Sequence, residues 1–306
     1  MRIVFMGTPE FAVPSLEVLC DDHHVVAVVT QPDRRSGRGQ KYTPSPVKKV
    51  ALAQEIPVLQ PESIGSPEVM DQLQAYEADL FVVVAFGQKL PDRLLTMARY
   101  GCVNVHSSLL PKYRGASPIN AAILQGDTIT GVTTMYMASG WDTGDIILQR
   151  EEPILPRDTA GELHDRLMIV GAQLLRETVE QIASGQAPRI PQDHEAASFA
   201  FKLSKKDSLV DFRKSATQLD RLIRGMNPWP VAYTYVGEEL VKILEAYPSD
   251  EKGAPGEILA QEGQGLLVGC KEGSLLLLKL QRPNAKAVSG VDFANGLRLC
   301  IGDFLR

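Results

Sequence analysis

The chain has 306 residues, of which 44% are hydrophobic and 23% charged, which is typical of a globular protein with two domains. Its formal net charge of -5 argues against binding to nucleic acid through overall charge, but leaves room for a local basic patch. Four cysteines without paired spacing predict neither a zinc site nor disulfides, and the lack of a leader or membrane-length apolar run predicts a cytoplasmic protein.

Strands and helices alternate over the first part of the chain. Thr8 is the expected N-cap of a first helix, with Pro9 in its first turn. The predicted strands are residues 2–6, 25–29, 80–85 and 102–106, and the predicted helices are residues 46–54, 67–76 and 91–98. This alternation is typical of an α/β fold with a doubly wound, mostly parallel, Rossmann-like sheet.

The pattern changes beyond residue 127. An antiparallel pair is predicted at residues 131–137 and 145–152, followed by an amphipathic helix over residues 159–184 that is capped by Asp158 or Thr159. A polar stretch with prolines follows. We therefore expect a first domain over residues 1–184 and a linker over residues 185–206.

Short strand-like runs dominate the remaining residues, 207–306. A helix over residues 216–226 precedes them and stops at Asn227-Pro228, and a last helix covers residues 290–299. The five runs are residues 231–236, 240–246, 256–260, 266–269 and 275–280. Their close spacing predicts a small antiparallel β-barrel of the OB-like kind.

Charge is distributed unevenly along the chain. Residues 1–200 carry a net charge of -7 and residues 201–306 a net charge of +2. Residues 31–49 nevertheless hold one acidic residue, Asp33, against six basic ones: Arg34, Arg35, Arg38, Lys41, Lys48 and Lys49. This basic loop is either simply solvated or a clamp for phosphate groups, in which Arg38 between two glycines would reach deepest.

Asn104 and His106 lie two residues apart on a predicted strand, so both side chains leave the same face. Asp142 follows in a glycine-bounded turn. An amide donor, a titratable ring and a carboxylate are the groups that transfer through a tetrahedral oxyanion requires. Two simpler readings stay open: His106 could be a buried structural histidine, and Asp142 a turn residue with Asp145 as its competitor.

Other chemistries find less support in the sequence. The segment Gly7-Thr8-Pro9-Glu10 lacks the further glycines of a dinucleotide-binding fingerprint. No Gly-x-Ser-x-Gly elbow surrounds Ser107 or Ser108, which makes a serine nucleophile improbable. The histidines have no metal-ligand spacing, so no metal site is expected.

The central motifs resemble those of the folate-dependent formyltransferases. They are Asn104-Val-His106, Ser108-Leu-Leu-Pro111, Tyr113-Arg-Gly115 and Asp142-Thr-Gly-Asp145. The resemblance implies that Asn104, His106 and Asp142 form a catalytic trio. It also implies that the co-substrate 10-formyltetrahydrofolate is contacted by Ser108, Leu109, Leu110 and Pro111.

Three further segments narrow the resemblance to the family members that formylate methionyl-initiator-tRNA in translation initiation. These segments are residues 6–12, the basic loop with residues 44–48, and residues 224–230. Ala138, where the family often has an acidic residue, departs from the pattern. The resemblance implies a monomer that binds the acceptor stem of tRNA through Arg34, Arg35, Arg38, Lys41, Lys205 and Lys206, with Arg213, Lys214 and Arg282 as further candidates on the barrel.

Two alternatives to this function stay open. A formyltransferase acting on an amino-sugar nucleotide would share the trio but would not need the basic loop. A non-catalytic protein that binds nucleic acid through the barrel is a second alternative, against which the net negative charge and the Asn-x-His arrangement both argue.

Overall fold

The computed structural model describes residues 1–36 and 41–306 of the chain. These residues form two compact units. The first comprises Met1–Pro118, Ile129–Pro153 and His164–Ala200, and the second comprises Ile119–Thr128, Ile154–Leu163 and Phe201–Arg306. The domain boundaries expected from the sequence, at residues 184 and 207, stay a prediction.

Strands of the first unit follow the alternation that the sequence predicts. They are β1 (Arg2–Gly7), β2 (His24–Val29), β3 (Arg34–Ser36), β4 (Lys41–Thr43), β5 (Val58–Leu59), β6 (Leu80–Val84), β7 (Cys102–His106), β8 (Arg114–Gly115), β9 (Ile129–Tyr136), β10 (Ile146–Pro153) and β11 (Phe199–Ala200). The helices of the chain are α1 (Val13–Asp22), α2 (Pro46–Ala53), α3 (Pro67–Ala75), α4 (Asp92–Leu95), α5 (Pro118–Gln125), α6 (Ala160–Ala183), α7 (Ala216–Gly225) and α8 (Gly290–Leu297).

Seven strands form the main sheet of the first unit, in the order β10-β9-β7-β6-β1-β2-β5. The pairs from β5 through β7 are parallel, whereas β9 and β10 run antiparallel at one edge. Every residue of β6 is buried, as expected of a central parallel strand covered on both faces. The predicted α/β fold with a mostly parallel sheet is confirmed.

Of the helix N-caps that the sequence predicts, one is confirmed and one is wrong. Thr159 caps α6 as one of the two predicted caps: its Oγ1 accepts from the Glu162 backbone N–H at 3.2 Å. The Thr8 cap is wrong. The Thr8 hydroxyl instead donates to the carbonyl of Phe86 at 3.3 Å and accepts from the Gln31 backbone N–H, so it is used to join strand ends. A 3-10 turn over Glu10–Ala12 precedes α1.

A six-stranded antiparallel sheet forms the second unit. Its strands are β12 (Tyr233–Val236), β13 (Glu239–Ser249), β14 (Ile258–Glu262), β15 (Gly265–Gly269), β16 (Ser274–Gln281) and β17 (Val288–Ser289). The order is β12-β13-β16-β15-β14, with β17 also paired to β16. The chain end bonds to both edge strands: Ile258 donates to Asp303 at 2.8 Å, and Tyr235 and Arg306 exchange two backbone bonds. These bonds close the sheet into a small barrel.

The core of this barrel is aliphatic. Val241, Ile243, Leu266, Leu275 and Leu277 are fully buried in one cluster. Helix α7 contributes apolar side chains to the same cluster, because its sequence places them on one face. None of the helices in the described part of the chain is long and apolar enough to cross a membrane.

Candidate active site

Strand β7 presents the first two polar groups of the site. It lies between parallel β6 and antiparallel β9, with Asn104 opposite Met135 and His106 opposite Thr133. Since side chains alternate along a strand, Asn104 and His106 leave the same face of the sheet. The His106 side chain is buried, at 6% exposure, whereas Asn104 is half-buried.

The imidazole of His106 is held in one orientation. Its Nε2 lies 2.9 Å from the carbonyl oxygen of Tyr113. Because a carbonyl oxygen can only accept, Nε2 carries a proton and donates it to this bond. Nδ1 is the ring nitrogen left for chemistry, and it lies 3.7 Å from Oδ2 of Asp142. The two groups therefore face each other at slightly more than hydrogen-bond distance.

Asp142 reaches His106 from the turn between β9 and β10. Its φ of 50° is in the left-handed region, which aspartate tolerates better than most residues. Oδ2 accepts a 2.7 Å hydrogen bond from the backbone N–H of Gly115. Within residues 1–36 and 41–306, Oδ1 has no hydrogen-bond partner. One carboxylate oxygen is thus fixed, and the other is free to accept a proton.

The competing carboxylate, Asp145, belongs to a different cluster. Its Oδ2 lies 3.6 Å from the Arg189 guanidinium, which in turn stacks 3.7 Å above the ring centre of Tyr136. Burial raises the pKa of the Tyr136 phenol, so this ring stays neutral at physiological pH. Asp145 is therefore engaged in an ion pair, and the structure places Asp142 beside His106.

Asn104 supplies a donor that the protein itself does not use. No described residue hydrogen-bonds its carboxamide, and the side chain is only partly covered. The structure thus places a free amide and a ring with one free nitrogen on one face of β7, and a carboxylate with one free oxygen beside the ring. These groups suit transfer through a tetrahedral oxyanion. Among the described residues, no three His, Cys, Asp or Glu side chains gather as metal ligands.

Residues 190–200, which the sequence assigns to a linker, support the loops around the trio. β11 pairs in parallel with β8, and the Tyr113 backbone N–H donates to the Ser198 hydroxyl at 2.9 Å. Gly115 has a φ of 115°, and a Cβ there would lie 2.7 Å from the Ala200 carbonyl oxygen. Glycine is therefore required where this loop approaches β11.

Gln192, which lies in the same segment, is a residue that the sequence reasoning missed. Its side chain is buried and bonds to both Arg114 and the Asp142 turn. Nothing local marks it, because a glutamine next to a proline in a polar stretch is typical of an exposed loop.

The run from Ser108 to Pro111 is packed against the protein. The Ser108 hydroxyl donates to the Lys112 carbonyl at 2.6 Å, and the Leu110 side chain is buried with Met135 and Ile146. Leu109 and Pro111 are half-buried. The side chains of Ser108 and Leu110 are therefore occupied within the chain, and all four backbone carbonyls of the run accept hydrogen bonds, which leaves the side chains of Leu109 and Pro111 as the partly exposed groups.

Two family models match the chain. The model described as formyl transferase matches residues 1–179, and the model of its C-terminal domain matches residues 202–298. The chain belongs to the formyl transferase family. The methionyl-tRNA formyltransferase of Geobacter sulfurreducens is 46% identical over 98% of this chain and 95% of its own length. That of Acetivibrio thermocellus is 45% identical over 100% of this chain and 99% of its own.

Solved structures share the fold at lower identity. A sugar 3N-formyl transferase crystallised with dTDP and 5-N-formyl-THF matches with a TM-score of 0.69 at 19% identity, covering 94% of this chain and 99% of its own. The N-formyltransferase of Helicobacter canadensis matches with a TM-score of 0.67 at 20% identity, covering 92% of this chain and 99% of its own. At such identities these two structures support the fold alone.

The basic loop of this formyl transferase is only partly described. Arg34 and Arg35 are exposed on β3, and the Arg35 guanidinium lies 5.4 Å from the ring centre of Tyr42. Arg38 and the side chain of Lys41 lie outside the described residues. Lys48 is not free: its ammonium donates to Asp33 at 2.7 Å and to Gln60 at 2.6 Å.

Four basic residues of the second unit that the sequence predicts as tRNA contacts fall into two pairs. Arg213 forms a two-pronged ion pair with Asp211, and Arg282 forms one with Glu239, all at 2.8 Å. Lys205 and Lys206 are exposed and form no ion pair within the described part of the formyl transferase. These two lysines therefore present uncompensated charge, whereas the two arginines are neutralised by neighbours.

Proposed function

We propose that this formyl transferase moves the formyl group of 10-formyltetrahydrofolate to the α-amino group of methionyl-initiator-tRNA. The observation that supports methionyl-tRNA as the acceptor substrate is the similarity of the whole chain to methionyl-tRNA formyltransferases, at 46% identity over 98% of the chain. The folate donor follows from membership of the family. The chemistry is supported by the way Asn104, His106 and Asp142 lie around one face of β7.

The reaction exchanges one carbon–nitrogen bond for another. The amine attacks the formyl carbon, the bond to N10 breaks, the amine loses a proton and N10 gains one. An α-amino group titrates at about 7.7–8.0, so a useful neutral fraction exists near pH 7. The attack turns the formyl oxygen into an oxyanion, to which the free Asn104 amide donates. Such a donor is worth roughly 3–4 kcal/mol.

His106 and Asp142 divide the proton chemistry. When protonated, His106 donates from Nδ1 to the oxyanion, because Nε2 is already bonded to Tyr113. The Asp142 carboxylate, with Oδ2 3.7 Å from Nδ1, favours the charged form of the ring by its negative charge. Its free Oδ1 accepts the proton of the attacking amine, directly or through a water molecule.

Folate binding is assigned to Ser108, Leu109, Leu110 and Pro111. Since the Ser108 hydroxyl and the Leu110 side chain bond and pack internally, the contact is made by the half-buried side chains of Leu109 and Pro111. The hydroxyl of Ser108 then acts by holding the loop in shape.

Contact with the acceptor stem of tRNA is assigned to Arg34, Arg35, Arg38, Lys41, Lys205 and Lys206. When Lys and Arg side chains neutralise phosphates, counterions condensed on the nucleic acid are released, and this release is a main source of such affinity. The enzyme acts as a monomer in the cytoplasm, where charged initiator tRNA is found.

A formylation assay with competing acceptors tests the proposal. Purified protein is incubated with 10-formyltetrahydrofolate and either charged initiator tRNA or a dTDP-linked amino sugar, and the products are resolved on an acid gel or by chromatography. We expect formyl-methionyl-tRNA and no formylated sugar. Formylation of the sugar alone would favour the amino-sugar alternative. Binding of tRNA without folate binding or turnover would favour the non-catalytic one.

A further inference from the structure

The side chain of Gln192 joins two loops of the first unit. It is 7% exposed, and each end of its carboxamide is hydrogen-bonded. Nε2 donates to the backbone carbonyls of Asp142 and Gly144, each at 2.8 Å. Two hydrogen bonds from one buried amide thus hold the turn that carries the candidate catalytic carboxylate.

The other end of Gln192 holds Arg114. Its Oε1 accepts from Nε of Arg114 at 3.1 Å and from Nη2 at 2.6 Å. Arg114 is 4% exposed, and no described carboxylate lies within ion-pair distance of it. The remaining partner of Nη2 is Nδ1 of His194 at 3.1 Å. A buried cation needs hydrogen-bond acceptors, so Gln192 and Arg114 keep each other in place.

These contacts close a ring around Asp142. Arg114 is followed by Gly115, whose backbone N–H donates to the Asp142 carboxylate at 2.7 Å. Gln192 accepts from Arg114 through Oε1 and donates through Nε2 to the backbone carbonyl of Asp142. Both the main chain and the side chain of Asp142 are therefore fixed to β8. The φ of 50° at Asp142 carries a modest cost, and this ring holds the turn in that conformation.

We propose that Gln192 is a positioning residue for formyl transfer, which holds the Asp142 carboxylate opposite Nδ1 of His106. This inference rests on the proposed function and adds a residue to its machinery. Without the two amide donations the turn relaxes and the carboxylate moves. A misplacement of about 1 Å in a reacting group can cost about 10²-fold in rate.

The first variant is Gln192→Glu. It keeps the volume of the side chain and the oxygens that Arg114 needs, and it removes the N–H donors to the two carbonyls. We expect kcat to fall by about 10- to 100-fold while KM for folate and for methionyl-tRNA changes by less than about threefold. Gln192→Met tests the same point without adding charge if the glutamate variant does not fold.

Asn120→Asp is the matched control. Nδ2 of Asn120 donates to the Gly225 carbonyl at 2.7 Å within the second unit. The substitution makes the same amide-to-carboxylate change against a backbone carbonyl, in a hydrogen bond that involves neither the Asp142 turn nor Arg114. We expect it to lower the melting temperature and to leave kcat near that of the wild type.

A double-mutant cycle with Asp142→Asn separates positioning from general damage. If Gln192 acts through Asp142, adding Gln192→Glu to Asp142→Asn costs less than about twofold in kcat. Losses that multiply in the double variant, or a Gln192→Glu enzyme with wild-type kcat, would overturn the inference. If the wild-type enzyme itself fails to formylate methionyl-tRNA, the proposed function is wrong instead.

Discussion

The hydrogen bonds that each site residue already makes determine what it can still do. Nε2 of His106 is committed to the Tyr113 carbonyl, so any proton the ring exchanges passes through Nδ1. Oδ2 of Asp142 accepts from Gly115, so Oδ1 is the carboxylate oxygen open to a proton. Of these three site residues, only Asn104 makes no side-chain hydrogen bond to any described residue. Its substitution should therefore remove one interaction with the reacting atoms and little else.

The burial of individual cysteines predicts which thiol reacts first with an alkylating reagent. Burial raises the pKa of Cys102 and of Cys270 to about 12, so almost no thiolate forms at pH 8. Cys300 is exposed, and Cys20 is partly buried with a raised pKa. We expect iodoacetamide at pH 8 to label Cys300 first in the native protein, as read by peptide mass spectrometry.

Denatured protein is the control for this labelling, because all four thiols should then react at similar rates. Labelling of Cys102 or Cys270 in the native protein as fast as Cys300 would contradict the burial described here.

At the scale of helices and strands, the sequence predicts those features that depend on residues adjacent in the chain. The run of apolar residues in β6 and the Thr159 cap of α6 each depend on a few adjacent positions, and both are confirmed. Gln192 escaped prediction because its partner Arg114 is 78 residues away in the chain. The prediction that Thr8 caps the first helix is wrong for the same reason, since the Thr8 hydroxyl bonds to Phe86, which is distant in the chain.

The segment between β2 and α2 gives a prediction about pH. Hydrogen bonds from Lys48 and then Gln60 hold the pKa of Asp33 below its ordinary value. A carboxyl with a lowered folded-state pKa adds stability above its unfolded pKa of about 3.9, and that stability is lost as pH falls through the folded value. We expect the wild type to exceed Asp33→Asn in urea midpoint at pH 7, by a margin that shrinks below about pH 4.

Asp71→Asn serves as the control for this series. The Asp71 carboxylate is exposed and lies 3.4 Å from Arg93. Exposed pairs of this kind contribute little, so the urea midpoint of the wild type should exceed that of Asp71→Asn by only a small margin at every pH. A margin for Asp33→Asn that does not change with pH would show that the network adds no charge-dependent stability.

On the scale of the whole molecule, net charge is a poor guide to where tRNA binds. The chain carries -5 overall, yet residues 201–306 carry +2. Sequence reasoning grouped Arg213 and Arg282 with the lysines, because it could not see that Asp211 and Glu239 neutralise them. The OB-like barrel itself was predictable, since its strands follow one another at short intervals.

The double variant Lys205→Gln, Lys206→Gln tests whether these two lysines contact phosphate groups of the tRNA. We expect weaker tRNA binding and a slope of log K against log salt reduced by about one to two, since each phosphate contact contributes about 0.7–0.9. Folate binding should be unchanged. Fluorescence titrations with charged tRNA at several salt concentrations supply both quantities.

Arg213→Gln with Arg282→Gln is the matched control, because it removes the same formal charge from the same unit. Those two arginines already pair with carboxylates, so the salt dependence should change little. An equal loss of slope in both double variants would mean that overall charge, rather than these two lysines, governs the contact.

The most direct test of the account is the single-turnover rate of formyl transfer by Asn104→Ala with both substrates bound. Loss of one oxyanion donor should lower this rate by about 10²- to 10³-fold, with the dissociation constant for the folate within about threefold of the wild type. A rate within a few-fold of the wild type would contradict the claim that Asn104, together with His106 and Asp142, stabilises the reacting carbon.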